Sequence, residues 1–118
     1  MRESGYQSKI IKDIEAFGGH CVNGQYTKAG EADLQAGIPV TIKGVRVLVH
    51  IAIEVKTPEN YERVMRGVDE NYNIVDARKL KKHEPLQMTK IRLLREKGGL
   101  AIVAYNFKQV IDYIKGVL

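Results

Sequence analysis

Apolar and polar residues alternate from residue 33 to residue 56, where LQAGIPVTI and VRVLVHIAIEV flank Lys43 and Gly44. A two-residue turn at Lys43-Gly44 pairs Ile42 with Val45 and folds the segment into an antiparallel hairpin. Carried along both strands, that register puts Leu34, Ala36, Ile38, Val40 and Ile42 on one face with Val45, Val47, Val49, Ile51, Ile53 and Val55. All of these are apolar. The other face collects Asp33, Gln35, Gly37, Pro39 and Thr41 with Arg46, Leu48, His50, Ala52 and Glu54. A slip of one residue would mix the two sets, so the pattern itself selects the register. Pro39 has no N–H to offer and predicts either a bulge or an edge position for the first strand.

On both sides of the hairpin the period changes to that of a helix. Tyr6, Ile10, Ile14 and Phe17 trace one face of a first helix, which Gly18 and Gly19 end. A short strand around Cys21 and Val22 and a turn-rich loop, NGQYTKAGEAD, then lead to Asp33. After the hairpin, Thr57 and Pro58 read as the N-cap and first position of a short helix with Tyr61, Val64 and Val68 inward. From Gly67 to His83 the chain is polar and ends in ARKLKKH, which reads as a mobile or partner-facing excursion whose basic cluster is a solvated surface or a specific site. Glu84 and Pro85 open a helix with Leu86, Ile91 and Leu94 inward and Gly98-Gly99 at its end. LAIVAY reads as a buried strand, and Asn106 caps a last helix defined by Val110, Ile111, Ile114 and Val117. The order is helix, three strands, helices, strand, helix, an α/β pattern with no internal repeat.

Composition narrows the picture. At 118 residues and 44% hydrophobic, the chain has material for one core, and a single domain over residues 1–118 is expected. The net charge of +5 admits polyanionic partners, nucleic acid or an acidic membrane, without choosing between them. The first residues carry no signal-type apolar run and no segment is long enough to cross a bilayer, so a cytoplasmic protein is expected. Cys21 has no partner for a disulfide, and its spacing from His20, His50 and His83 does not match a structural zinc site. It is expected as a small buried hydrophobe.

The hairpin register has a chemical consequence at its open end, where Asp33 falls opposite Glu54. Opposed side chains in an antiparallel pair have Cβ atoms about 5 Å apart, and two like charges there need something positive between them. Lys56, on the same face two residues on, supplies part of it, and a divalent ion would supply the rest. Such a set meets the requirements of magnesium- or manganese-assisted phosphodiester hydrolysis, since both ions favour hard oxygen ligands and accept phosphate oxygens as further ones. The alternative is an ordinary surface ion pair between Glu54 and Lys56, with Asp33 a turn residue. Glu3 on the first helix is either a first-turn acid complementing the helix dipole or a member of the site. His50 is either near the site or a packing residue of the sheet face, and Tyr61 and Tyr72 either stack on bases or pack.

Gly30-x-x-Asp33-Leu34, then Ile53-Glu54-Val55-Lys56, then Gln87 in a helix that ends in Gly-Gly and a strand, resembles the PD-(D/E)xK nuclease superfamily. More narrowly it resembles the virus-type replication-repair nuclease (VRR-NUC) domain, from Glu3 to about Tyr105. Ala32 stands where many relatives have proline, and the stretch from Lys56 to Gln87 is long. The resemblance implies a restriction-endonuclease-like αβββαβ core, with a mixed sheet flanked by helices, a C-terminal helix and residues 57–83 as an insertion. It also implies Mg2+ or Mn2+ held by Asp33, Glu54 and the Val55 carbonyl, Lys56 as catalytic lysine, Glu3 in the acidic site and Gln87 in support. On the residues alone, Gln87 also reads as an exposed polar residue of a first helical turn. The function expected is a metal-dependent DNA endonuclease of phage or bacterial type, selective for branched DNA such as Holliday junctions. Lys79, Lys81 and Lys82 are expected on the nucleic acid. A homodimer is expected, since so small a domain offers limited surface for two DNA arms. A non-catalytic DNA-binding module of the same fold and an RNA-processing nuclease are the rival readings.

Overall fold

The computed structural model describes residues 1–23 and 32–118. Its single sheet has the order β1 (His20–Asn23), β2 (Leu34–Ile42), β3 (Val45–Val55) and β4 (Leu100–Ala104). The first three strands are antiparallel neighbours, and β4 lies parallel to β3. A parallel neighbour requires a crossover. It is made by α2 (Pro58–Gly67), a short 3-10 turn at Ala77–Lys79 and α3 (Glu84–Glu96). Helix α1 (Glu3–Ala16) precedes the sheet and α4 (Phe107–Val117) comes after it. This is the α/β, restriction-endonuclease-like arrangement. The turn-rich loop expected before Asp33, Gly30 included, falls largely outside the described residues.

The hairpin register runs from Ile42 opposite Val45 to Leu34 opposite Ile53 without a bulge. Pro39, opposite Leu48, lies past Gly37, the last β2 residue that β1 reaches. Among the described residues no strand pairs with β2 on that side at Pro39, so its missing N–H leaves no ladder bond unmade.

Each face of the sheet has its own core. One packs Leu34, Ala36, Ile38, Ile51, Ile53 and Val55 against Ile10 and Ile14 of α1 and Val110 and Ile114 of α4. On the other, Ala52, Ala101 and Val103 pack against Val64 of α2 and Met88 and Ile91 of α3. Each fully buried Ile or Val contributes roughly 1.5–3 kcal/mol relative to exposure. Helix ends are closed locally. The Thr57 side chain accepts the Asn60 N–H at 3.2 Å, and Asn106 and Gln109 form a reciprocal capping box.

Three expectations need correction. The apolar face outruns its cover towards the turn, where Val45 is 60% exposed and none of the described helices packs on it. In α3 the buried stripe is Glu84, Met88 and Ile91, while Leu86 and Leu94 are exposed. The polar excursion from Gly67 to His83 is seated in the second core through Val68, Tyr72 and Leu80. Val68 bridges Ile74, and the Tyr72 hydroxyl accepts the Val103 N–H at 3.1 Å. Phe17 and Val117, at the ends of their helices, are exposed, and Cys21 is half-buried against the first core. Among the described residues, no helix is long and apolar enough to cross a membrane.

Candidate nuclease site

Alternate residues of a strand share a face, so Ala52, Glu54 and Lys56 leave β3 on the side covered by α2 and α3. Glu54 is 1% exposed and Lys56 7%, which removes the surface ion pair as a reading. Asp33 stands one residue before β2. Its N–H donates to Glu54 Oε2 at 3.2 Å, and its Oδ2 accepts the Val55 N–H at 2.9 Å. The opposition expected from the register is therefore formed, and the Asp33 side chain continues the ladder beyond the strand. A strand residue points its N–H and C=O to the same side, so the Val55 carbonyl also lies towards Asp33.

Lys56 is held at both ends. Its N–H donates to the Ala104 carbonyl at 3.1 Å, extending the parallel ladder. Its Nζ donates to Gln87 Oε1 at 3.1 Å, lies 3.3 Å from Glu84 Oε2, and is 3.9 Å from Glu54 Oε1. Gln87 is accordingly half-buried and engaged, rather than exposed at a helix start. Glu84 is the member that the sequence pattern did not reveal. It accepts both Arg63 terminal nitrogens, at 2.7 and 2.9 Å, and the Lys81 N–H at 2.7 Å. The available signal was its position three residues before Gln87, which puts both on one helix face.

The electrostatics divide the carboxylates into two kinds. Burial pushes Glu54 up to about 8, with the Asp33 charge adding to the effect and Lys56 opposing it. Burial also raises Asp33, against the lowering effect of the Val55 N–H. Glu3, at the start of α1, is raised by burial and lowered by Lys56. For Glu84 burial acts upwards too, but Arg63, the Lys81 N–H and Lys56 together hold it at about 2. Glu84 is thus a settled anion, while Asp33 and Glu54 lack positive charge even with Lys56 nearby.

That deficit is the test of whether a divalent ion fits. Two hard oxygen donors whose ionisation is opposed, Glu54 buried and Asp33 half-buried, with a backbone carbonyl beside them, suit Mg2+ or Mn2+, which need few protein ligands and keep several waters. Among the described residues no three His, Cys, Asp or Glu side chains close into a coordination cluster. The donors on offer to an ion would be two carboxylates and a carbonyl.

Two cavities flank Gln87. One, of about 430 Å3, is lined by Glu3, Lys56, Arg63, Lys81, Lys82 and Glu84 among others. The other, of about 250 Å3, has Glu54 in its wall. Glu3, Lys81 and Lys82 are thereby brought to the site. Lys79 is not: it is exposed on the 3-10 turn, where its carbonyl accepts Arg63. His50 is exposed opposite Gly37, four residues up the strand from Glu54. Both tyrosines pack, Tyr61 edge-on to Tyr105 at 5.1 Å and Tyr72 beneath the Arg95 guanidinium at 4.5 Å.

No protein-family model and no curated protein matches the sequence. Among solved structures, a VRR-NUC domain matches with a TM-score of 0.56 and 25% identity, over 98% of this chain and 97% of that one. The likeness spans nearly all of both chains, so this chain shares the fold of a VRR-NUC domain, and in this chain that fold carries Asp33 and the Glu54-x-Lys56 pair.

Proposed function

We propose that this domain is a divalent-metal-dependent endonuclease that hydrolyses DNA phosphodiester bonds. The observation that carries this reading is the pairing of buried Glu54 with half-buried Asp33, short of positive charge, beside a lysine held by Gln87 and Glu84. Asp33, Glu54 and the Val55 carbonyl would hold Mg2+ or Mn2+. An ion bound there supplies Lewis acidity, polarising a phosphate oxygen and making water more acidic.

The chain's own groups do the rest. Lys56 is directed by Gln87 and Glu84, so its ammonium meets the scissile phosphate without reorganising, which is where electrostatic stabilisation is most effective. It is also the group available to orient the attacking water. Lys81 and Lys82, exposed at the rim of the larger cavity, would engage flanking phosphates and make binding salt-sensitive. Preference for branched DNA, a homodimer and a bacterial or phage-infected cytoplasm are carried over from the family resemblance.

The test is cleavage of an end-labelled four-way junction, a linear duplex of the same sequence and a matched RNA, in Mg2+, Mn2+ and EDTA, with Asp33→Asn alongside. Metal-dependent cuts that the variant loses are expected, with the junction cut fastest. Binding without cleavage in either metal would instead identify a non-catalytic module, and preference for the RNA would identify an RNA nuclease.

A further inference from the structure

The smaller cavity shares Glu54 and Gln87 with the site, yet nothing in the hydrolytic reading uses it. Its floor is a row across three strands, Gln35 opposite Ala52 and Ala52 beside Ala101, all in register. Two alanines in succession leave a flat apolar surface where larger side chains would fill the space beneath α3. Ile91 and Leu94 of α3 form the wall. Leu94 leans over Gly99, whose missing Cβ would lie 2.7 Å from Leu94 Cδ1. Lys90 and Lys97, two helical turns apart, stand on the lining, and Lys97 is exposed. Along β3 the floor residue Ala52 is two positions from Glu54, roughly 7 Å at the rise of a strand.

We propose that this cavity is a nucleobase pocket, which takes one unstacked base of the strand being cut while that strand's phosphate lies at Glu54 and Lys56. This deepens the nuclease reading and rests on it for the identity of the strand. Four properties select the ligand. The floor is flat and apolar, as a base face requires. Gln35 and Gln87 offer amide donors and acceptors to a base edge. Lys97, exposed on the lining, suits a phosphate beside the base. The volume of about 250 Å3 lies below the ~300 Å3 at which drug-sized sites begin, so it suits a ring system rather than a whole nucleotide. A base leaves a stacked duplex at a cost of about a few kcal/mol, and least where it is already unpaired. The pocket would therefore favour junctions, bulges and single strands over intact duplex, using local strand chemistry instead of overall shape.

The test uses the whole chain in Ca2+, with 2-aminopurine placed in turn at each position of a bulged duplex and of a perfect duplex. A saturable fluorescence change confined to one position beside the cut site is expected with the bulged DNA. Leu94→Trp, which fills the pocket from its exposed rim, should abolish that change and reduce the preference for bulged over perfect duplex by about tenfold or more. Gln35→Leu should keep the change and alter its dependence on base identity. A change spread over all positions, none at all, or one untouched by Leu94→Trp would overturn the proposal. So would a drop in the variant's mass by light scattering with the base signal retained, which would mean that a second copy covers the cavity. Asp33→Asn separates this proposal from the nuclease reading, because it should lose cleavage in Mg2+ and keep the one-position signal.

Discussion

Glu84 and Lys56 meet where α3 docks on the sheet, Oε2 lying 3.3 Å from Nζ, and the same carboxylate is gripped by both terminal nitrogens of Arg63. Glu84 thus ties Lys56 to α2 as well as to α3. We expect Glu84→Gln to lower the cleavage rate by about tenfold to a hundredfold, less than the ~10²–10³ typical when a group acting directly on the transition state is lost. Rates and a Mn2+ titration of the variant check this. If Glu84 positions Lys56, the rate falls while metal affinity holds, and equal losses in both would refute the assignment.

The same network makes stability depend on pH in two opposite senses. Glu84, held at about 2, stabilises the fold fully above its unfolded value near 4.5, and that contribution is lost as pH falls from there through 2. Glu54, raised to about 8, destabilises the metal-free fold progressively as pH rises from about 4.5 through 8. In EDTA, Glu54→Gln should therefore raise the melting temperature at pH 8 and leave it little changed at pH 4.5. A variant that melts lower than the parent at pH 8 would contradict the charge deficit.

Metal binding should be visible without any turnover. An ion that binds only the folded state stabilises it by mass action, by about 2.7 kcal/mol at a hundred times its dissociation constant. Thermal melts in Mn2+ should rise above those in EDTA for the parent and stay flat for Asp33→Asn and for Glu54→Gln. An equal rise in all three proteins would place the ion elsewhere.

Charge reversal separates the lysines. Lys81→Glu and Lys82→Glu should weaken DNA binding and reduce the slope of log affinity against log salt by about one for each phosphate contact removed. Lys79→Glu, outside the cavity, should do distinctly less. Binding isotherms across a range of salt concentrations decide it. Identical slopes for all three would remove the larger cavity from the DNA path.

What could be read from the chain depended on how local the determining pattern was. The opposition of Asp33 and Glu54 is set by a two-residue turn and an alternation of period two, both present in the hairpin itself. The seating of α3 is not local. Its apolar residues offer more than one stripe, and the choice of Met88 and Ile91 over Leu86 and Leu94 depends on contacts with Ala52, Ala101 and Val103, on strands distant in sequence. Glu84 went unrecognised for the same reason, since its partners Lys56 and Arg63 belong to other elements. The excursion from Gly67 to His83 reads as mobile or partner-facing because Val68, Tyr72 and Leu80 bury without regular spacing. Tyr72 reaches its place through a left-handed backbone, φ +63°, that propensity does not favour for an aromatic residue.

Tyr72 and Leu80, by fastening that excursion to the sheet, set the distance between its basic end and Lys56. The segment therefore works as a ruler instead of a tether. Lengthening or shortening it between Leu80 and Glu84 would move Lys81 and Lys82, the proposed phosphate contacts, relative to Lys56, so the proposed site constrains how many residues evolution can add there.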